Sequence, residues 1–241
     1  MDKKYELIPL KEFNNKIYRI RALVDGRFYK KGDFGGLVSS ENNLSQKGKC
    51  WITKNVFVGE SARVYGNAFV NGFVHIFGKV RIFGNANVGG CVNIYDNVKI
   101  YGKTLLYCDG SIRDNVNIYD EAKIMNNWIN LYGNLKIHGK VSIKDPVLYI
   151  DGDAEIKEQK DYLVFKTWWA NDYHTKYFTW TRSNDIWSAD PGNGCLEEKK
   201  CVGPYNKFLD WAYKKSEIYG KGCESFVKYV ESIKEFINKI K

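Results

Sequence analysis

CWITKNVFVGESARVYGNAFVNGFVHIFGKVRIFGNANVGGCVNIYDNVKIYGKTLLYCDGSIRDNVNIYDEAKIMNN, residues Cys50–Asn127, decides the fold. Every sixth position in it is aliphatic, from Ile52 through Val58, Val64, Val70, Ile76, Ile82, Val88, Ile94, Ile100, Leu106, Ile112 and Ile118 to Ile124. Two positions earlier stands mostly a small or β-branched residue (Val56, Ala62, Ala68, Val74), and two positions later a turn former predominates (Gly66, Gly72, Gly84, Asp96). Apolar residues two apart share one face of a strand. Gly, Asp and Asn accept the dihedrals of a corner, so the next strand changes direction. Three strands and three corners close a triangular coil. Each coil then buries its apolar face only against the coils above and below. A period of six fits neither the 3.6 nor the 3.5 of helices, and the β-branched and aromatic enrichment favours strands. The reading is an all-β chain built on a parallel β-helix of hexapeptide repeats.

Outward from this stretch, the series continues in shifted phase. Leu131, Ile137 and Ile143 come one residue late, and a second slip at Asp145-Pro146 hands over to Ile150 and Ile156. The organisation expected is an N-terminal β cap over 1–49, the repeat coil over 50–156, and a C-terminal α+β module over 157–241. The cap follows from YELIPL and KIYRIRALV, which read as strands, with Asp25-Gly26 and Gly35-Gly36 as turn signals. In the C-terminal module, DYLVFKTWW and KYFTWTRSNDIW read as a β-hairpin joined at Ala170-Asn171-Asp172. Helical spacing follows from Pro204, with Phe208, Trp211 and Ala212 before a break at Gly220-Lys221-Gly222. Phe226, Val230, Ile233 and Ile237 then mark a last helix. Both ends of a solenoid need covering, since an open end exposes strand edges and apolar side chains.

The 241 residues carry a net charge of +9. It is uneven: 11 Lys/Arg against 6 Asp/Glu over 1–49, 11 against 10 over 50–156, and 15 against 12 over 157–241. The basic ends suit an anionic partner and equally serve solubility. No segment has the length of apolar residues a membrane span needs, and MDKKYELIPLKEF lacks a signal-peptide core. A cytoplasmic protein without membrane contact is expected. The six cysteines show no paired C-x-x-C spacing and read as free thiols, with Cys91 and Cys108 at neighbouring corners of adjacent coils.

Stacking at eighteen residues predicts a first outer face of Arg63/Tyr65, Arg81/Phe83, Lys99/Tyr101, Asn117/Tyr119 and Lys136/His138, a basic ladder beside an aromatic one. Such a ladder can stabilise the coils, pack against another subunit or grip a ligand. The three histidines, His75, His138 and His174, are the only ordinary general bases for acyl transfer. No G-x-S-x-G, H-E-x-x-H or Walker motif occurs, and nothing calls for a cofactor or metal. Asp109, Asp114 and Asp120 read as corner residues. The ligand-binding candidates are Trp168, Trp169, Tyr177, Trp180, Arg182 and Trp187, because ring planes beside a guanidinium suit a base or sugar carrying a phosphate. The same rings can equally form the core of the module.

The aliphatic–small spacing of Val64 with Ala68 and of Ile118 with Ala122 resembles the left-handed β-helix of hexapeptide acyltransferases, although Tyr65, Phe77, Phe83 and Tyr95 stand where those enzymes commonly carry small or acidic residues. YRIRAL at Tyr18–Leu23, KKGDFGGLVSSENNLSQKGKCWI at Lys30–Ile52 and VYGNA at Val64–Ala68 make the chain similar to the YdcK-like hexapeptide-repeat proteins of bacteria and phages. That resemblance implies a left-handed coil and a trimer. It further implies a non-enzymatic binding protein at the host–phage interface, in the host cytoplasm, acting in counter-defence by sequestering a nucleotide-type anionic ligand or a host protein. Acyl transfer from an acyl-CoA is the alternative it leaves.

Overall fold

A computed structural model of the chain describes residues 3–125, 128–145, 147–169, 172–189, 202–204, 210 and 224–240. They form a parallel β-solenoid of about six turns, closed at one end by an antiparallel N-terminal unit and at the other by a four-stranded sheet, with a helix at Glu224–Ile240. Within the coil, the short strands Arg63–Val64, Arg81–Ile82, Lys99–Ile100, Asn117–Ile118, Lys136–Ile137 and Glu155–Ile156 stack in parallel as one six-stranded sheet. The aliphatic series from Ile52 to Ile124 lies entirely in the core, as do Leu131, Ile137, Ile143, Ile150 and Ile156. Each such side chain removed from water contributes about 2 kcal/mol, and no coil could bury its own without its neighbours.

Register records the phase slips. Ile82 pairs with Ile100 and Ile100 with Ile118, eighteen residues apart, whereas Ile118 pairs with Ile137 and Ile137 with Ile156, nineteen apart. Asn126-Asn127 and Pro146, where the extra residues were expected, lie outside the described residues. In the middle coils, Asn87–Ile94 and Leu105–Ile112 each run through a corner as one eight-residue strand.

The hydrogen-bond direction of the coil fixes the chemistry of its two caps. At the outward-facing and corner positions each coil donates its amides to the carbonyls of the next, as in Arg63 N to Val80 O and Arg81 N to Val98 O. At those positions the first coil is left with carbonyls and the last with amides, and buried backbone groups must be paired. Donors meet the carbonyls. Leu37 N reaches Val56 O, the Asn43 amide donates to Glu60 O (3.0 Å) and Ala62 O (2.8 Å), Lys4 Nζ to Cys50 O (2.9 Å) and Arg19 Nη1 to Lys54 O (3.3 Å). Acceptors meet the amides. Thr179 Oγ1 accepts from Tyr149 N, Ser188 Oγ from Asp151 N, Ser183 Oγ from Glu155 N, and the buried Asp161 carboxylate from Lys157 N and Glu158 N. Asn43 is fully buried, so Asn43→Ala strands two carbonyls. It should cost about 2–4 kcal/mol in urea unfolding, whereas an exposed neighbour, Asn42→Ala, should cost well under 1.

Three sequence expectations are corrected. Gly35-Gly36, read as a turn, lies inside the strand Phe34–Val38, which pairs antiparallel to Tyr18–Ala22 and parallel to Phe57–Val58. A Cβ at Gly35 would come within 2.7 Å of Ile20 and of Ile52 O, so the pair is there to let the cap approach the coil. KYFTWTRSNDIW is not one strand. The chain turns between Thr181 and Ile186, with Asp185 at positive φ, and the expected hairpin is a four-stranded sheet of Tyr162–Trp169, Asp172–Thr181, Ile186–Ala189 and Val202–Pro204. Ser183-Asn184-Asp185 was the turn signal, hidden among aromatic residues. Pro204, taken as the start of helical spacing, ends the fourth strand. Phe208, Trp211, Ala212, the Gly220-Lys221-Gly222 break, Ala170-Asn171 and Cys195, Cys201 and Cys223 lie outside the described residues.

Candidate functional site

Tyr65, Phe83, Tyr101, Tyr119 and His138 form one column of parallel rings, with centroids 4.9, 4.8, 5.1 and 4.8 Å apart and planes within 4°. The column follows from a ring recurring at one position of each coil, at the strand spacing of about 4.8 Å. Rings this close leave no gap for a nucleobase, so the column offers edges rather than stacking faces. The neighbouring basic residues are partly structural: Arg81 Nη1 donates to Ser61 O (2.7 Å), Lys79 O (3.0 Å) and Val80 O (3.0 Å). The one cleft described on this side, of about 320 Å³, is lined by Ser40, Asn43, Glu60, Ser61, Arg63 and Arg81 among others. Glu60 sits in it and accepts from Gly78 N, which disfavours an anion there.

His138 closes the column between two carboxylates, its Nε2 2.8 Å from Glu155 Oε1 and its Nδ1 3.7 Å from Asp120 Oδ2. Nε2 is engaged by Glu155, while Nδ1 only lies near the Asp120 carboxylate. His75 is exposed with its ring edge toward Phe77 (6.4 Å), and the His174 side chain lies outside the described residues. The corner carboxylates do backbone work: Asp109 accepts from Cys91 N, Asp114 from Gly133 N and Asp120 from Gly139 N. The hydrogen bond from His138 holds the Glu155 carboxyl below its ordinary 4.5. A lowered carboxyl contributes stability above its unfolded value that is lost as the pH falls through the folded one. The difference in urea midpoint between the wild type and Glu155→Gln should accordingly be present at pH 6 and vanish as the pH is lowered below about 4.5. A difference that shows no decline as the pH falls below 4.5 would assign it to packing.

The C-terminal candidates divide. Trp180 is fully buried, donates Nε1 to Asp185 Oδ1 (2.8 Å) and pairs in register with the buried Trp187. Phe178 packs on Trp187 at 5.9 Å. Arg182 begins the turn, its amide donating to Asp161 O (2.8 Å) and its guanidinium 3.7 Å from the Asp161 carboxylate. Tyr177 is half-buried in the second strand of the sheet. Trp168 and Trp169 end the first strand, and their side chains lie outside the described residues. Trp180 and Trp187 thus present no open ring face.

A different surface stands out in the folded chain. Three consecutive coils stack the segments Phe69–Phe77, Asn87–Tyr95 and Leu105–Ile112 on one flank. As far as Ile112 these carry no Lys, Arg or Glu and a single Asp, Asp109; Arg113, in register with Phe77 and Tyr95, lies over the Tyr132 ring at the edge of the third segment, while the same coils place Lys79, Arg81, Asp96, Lys99 and Lys103 on the remaining side. Within this flank Phe73 is 62% exposed, and at its upper margin Trp128 is 48% and Met125 39% exposed. Phe73, Cys91, Asp109 and Trp128 occupy one vertical column, given by the pairing of Cys91 with Asp109 and of Gly110 with Ile129. Below, Phe28 stacks on Phe69 (4.0 Å) and Tyr29 on Trp51 (3.9 Å), so the cap already covers the lower part of the same side. The sequence reading missed this flank. Its signal was an absence of charge recurring every eighteen residues.

No protein-family model matches the chain, and comparison with curated proteins also returns no match.

Proposed function

We propose that the protein is a non-catalytic, self-associating binding protein, and that the uncharged flank around Phe73 and Trp128 is where copies of the chain meet. The single observation behind this reading is the segregation of charge: a chain with 27% charged residues has three stacked coils whose one side carries only Asp109 and, at its edge, Arg113, with large rings in water. Interface centres are depleted of charge and enriched in aromatic residues and Met, and exposed apolar patches of this kind mark association. A flank with so little charge offers a charged partner little to complement, whereas a parallel second copy brings like rings and amides together at matching coil heights. Closed symmetry favours a small ring of subunits. The resemblance to YdcK-like hexapeptide-repeat proteins supports a trimer, a left-handed winding and a role at the host–phage interface in the host cytoplasm.

Acyl transfer is the weaker reading, since His138 Nε2 is engaged by Glu155 and, among the described residues, His75 pairs with no carboxylate. A nucleotide-type ligand at the C-terminal module is also weaker, since Trp180 is sealed in the sheet. Sedimentation of the native chain from tens of micromolar downward tests the proposal. A defined multiple of the 27.9 kDa chain mass is expected, and a monomer at every concentration overturns it.

A further inference from the structure

We propose that Lys4 and Cys50 form an oxidatively cross-linkable pair, joined by a direct nitrogen–sulfur bond when the protein meets a hydroperoxide. Lys4 is only 6% exposed and Cys50 is fully buried. The amine lies 3.1 Å from Sγ and 2.9 Å from the carbonyl of the same residue. A lysine is almost never buried without a carboxylate partner. Among the described residues the neighbouring Lys3 has one in Glu41, whereas Lys4 has the thiol and the carbonyl instead. The cap's need for a donor over Cys50 O explains why an amine is brought there. It does not require sulfur beside it. The pair joins residues 46 apart, tying the start of the N-terminal strand to the entry of the first coil.

The chemistry balances with one hydroperoxide. The Cys50 thiolate attacks the peroxide: a sulfur–oxygen bond forms, the oxygen–oxygen bond breaks, and sulfur is oxidised by two electrons as the peroxide is reduced to water or alcohol. The resulting sulfenic acid condenses with nitrogen nucleophiles. The amine form of Lys4 supplies its lone pair to sulfur, the nitrogen–sulfur bond forms, the sulfur–oxygen bond breaks, and hydroxide leaves with the amine proton as water. The net change is the loss of two hydrogens from the protein. Access comes through the edge strand Tyr5–Pro9, whose one strand partner among the described residues is Tyr18–Ala22, so that it can open locally. Among the described residues Cys91 is the exposed competitor, whereas burial pushes the Cys108 thiol well above its ordinary range.

The full chain, treated with hydrogen peroxide and digested, is read by mass spectrometry. Expected is a Lys4–Cys50 linked peptide pair two hydrogens lighter than its parts. It should separate on treatment with a dithiol, and be absent from Cys50→Ser and from Lys4→Arg, the latter keeping the cation and the cap hydrogen bond. Closing this loop should raise the Tm of the oxidised wild type by about 5–10 °C, reversibly, and leave Lys4→Arg unshifted. Oxygen added to Cys50 without a link to Lys4, or an unmodified Cys50 while Cys91 is fully oxidised, overturns the proposal.

Discussion

Phe73→Asp combined with Trp128→Asp is expected to convert the assembled protein into a folded monomer. Both side chains are largely in water within one subunit, at 62% and 48% exposure, so their replacement should change the stability of the isolated chain by no more than about 0.5–1 kcal/mol. Across a subunit contact the same two changes place like charges near a symmetry axis and remove the largest anchors. Central aromatic anchors commonly account for 2 kcal/mol or more each, so association should weaken at least 100-fold, or about 3 kcal/mol. Equilibrium sedimentation reads this directly. Arg63→Asp on the opposite side serves as the control and should leave the mass unchanged. An assembled double variant at the concentrations where the wild type assembles would remove the flank from consideration.

The second large effect is steric. Gly90 has φ +95° in the strand Asn87–Ile94, and a Cβ there would lie 2.1 Å from Cys108 O in the coil above. Gly32 has nearly the same dihedral, φ +93°, but a Cβ there meets nothing within 4 Å. Gly32→Ala therefore reports backbone strain alone, about 1–2 kcal/mol. Gly90→Ala adds a collision with backbone that cannot turn aside, because Cys108 is itself held in the ladder. The coils must separate, and more than about 4 kcal/mol should be lost, enough to leave little folded protein. Comparing the two substitutions in urea separates strain from contact. Equal losses would mean that the coils do not pack this tightly at that corner.

Several features of the molecule were open to reading without coordinates. The six-residue recurrence of Val and Ile identified the buried positions, because only a strand turning at regular corners can hide them all. Counting by eighteen placed Tyr65 beneath Phe83 and Phe83 beneath Tyr101, and the late arrival of Leu131 and Ile150 gave the two later steps of nineteen. Other assignments rested on local cues that tertiary contact overrode. Gly35-Gly36 looks like a turn because the dipeptide signals conformational freedom, yet its role is closeness to Ile20 and Ile52. Trp180 looked like a ligand platform because an aromatic residue in an alternating strand gives no sign of which side will be covered.

The order of residues by itself determined the period, the inward set, the coil register and the vertical neighbours, since all of these follow from a one-dimensional repeat in which each layer meets only the next. Tertiary structure alone decided how the ends are finished and which side stays bare. Caps depend on the direction of the amide–carbonyl ladder, which calls Asn43, Lys4 and Arg19 to the carbonyl end and Thr179, Ser183, Ser188 and Asp161 to the amide end from far along the chain. The flank depends on three coils being superposed, because the missing charges are scattered in the chain and become one surface only when Phe73, Cys91, Asp109 and Trp128 stand in a column.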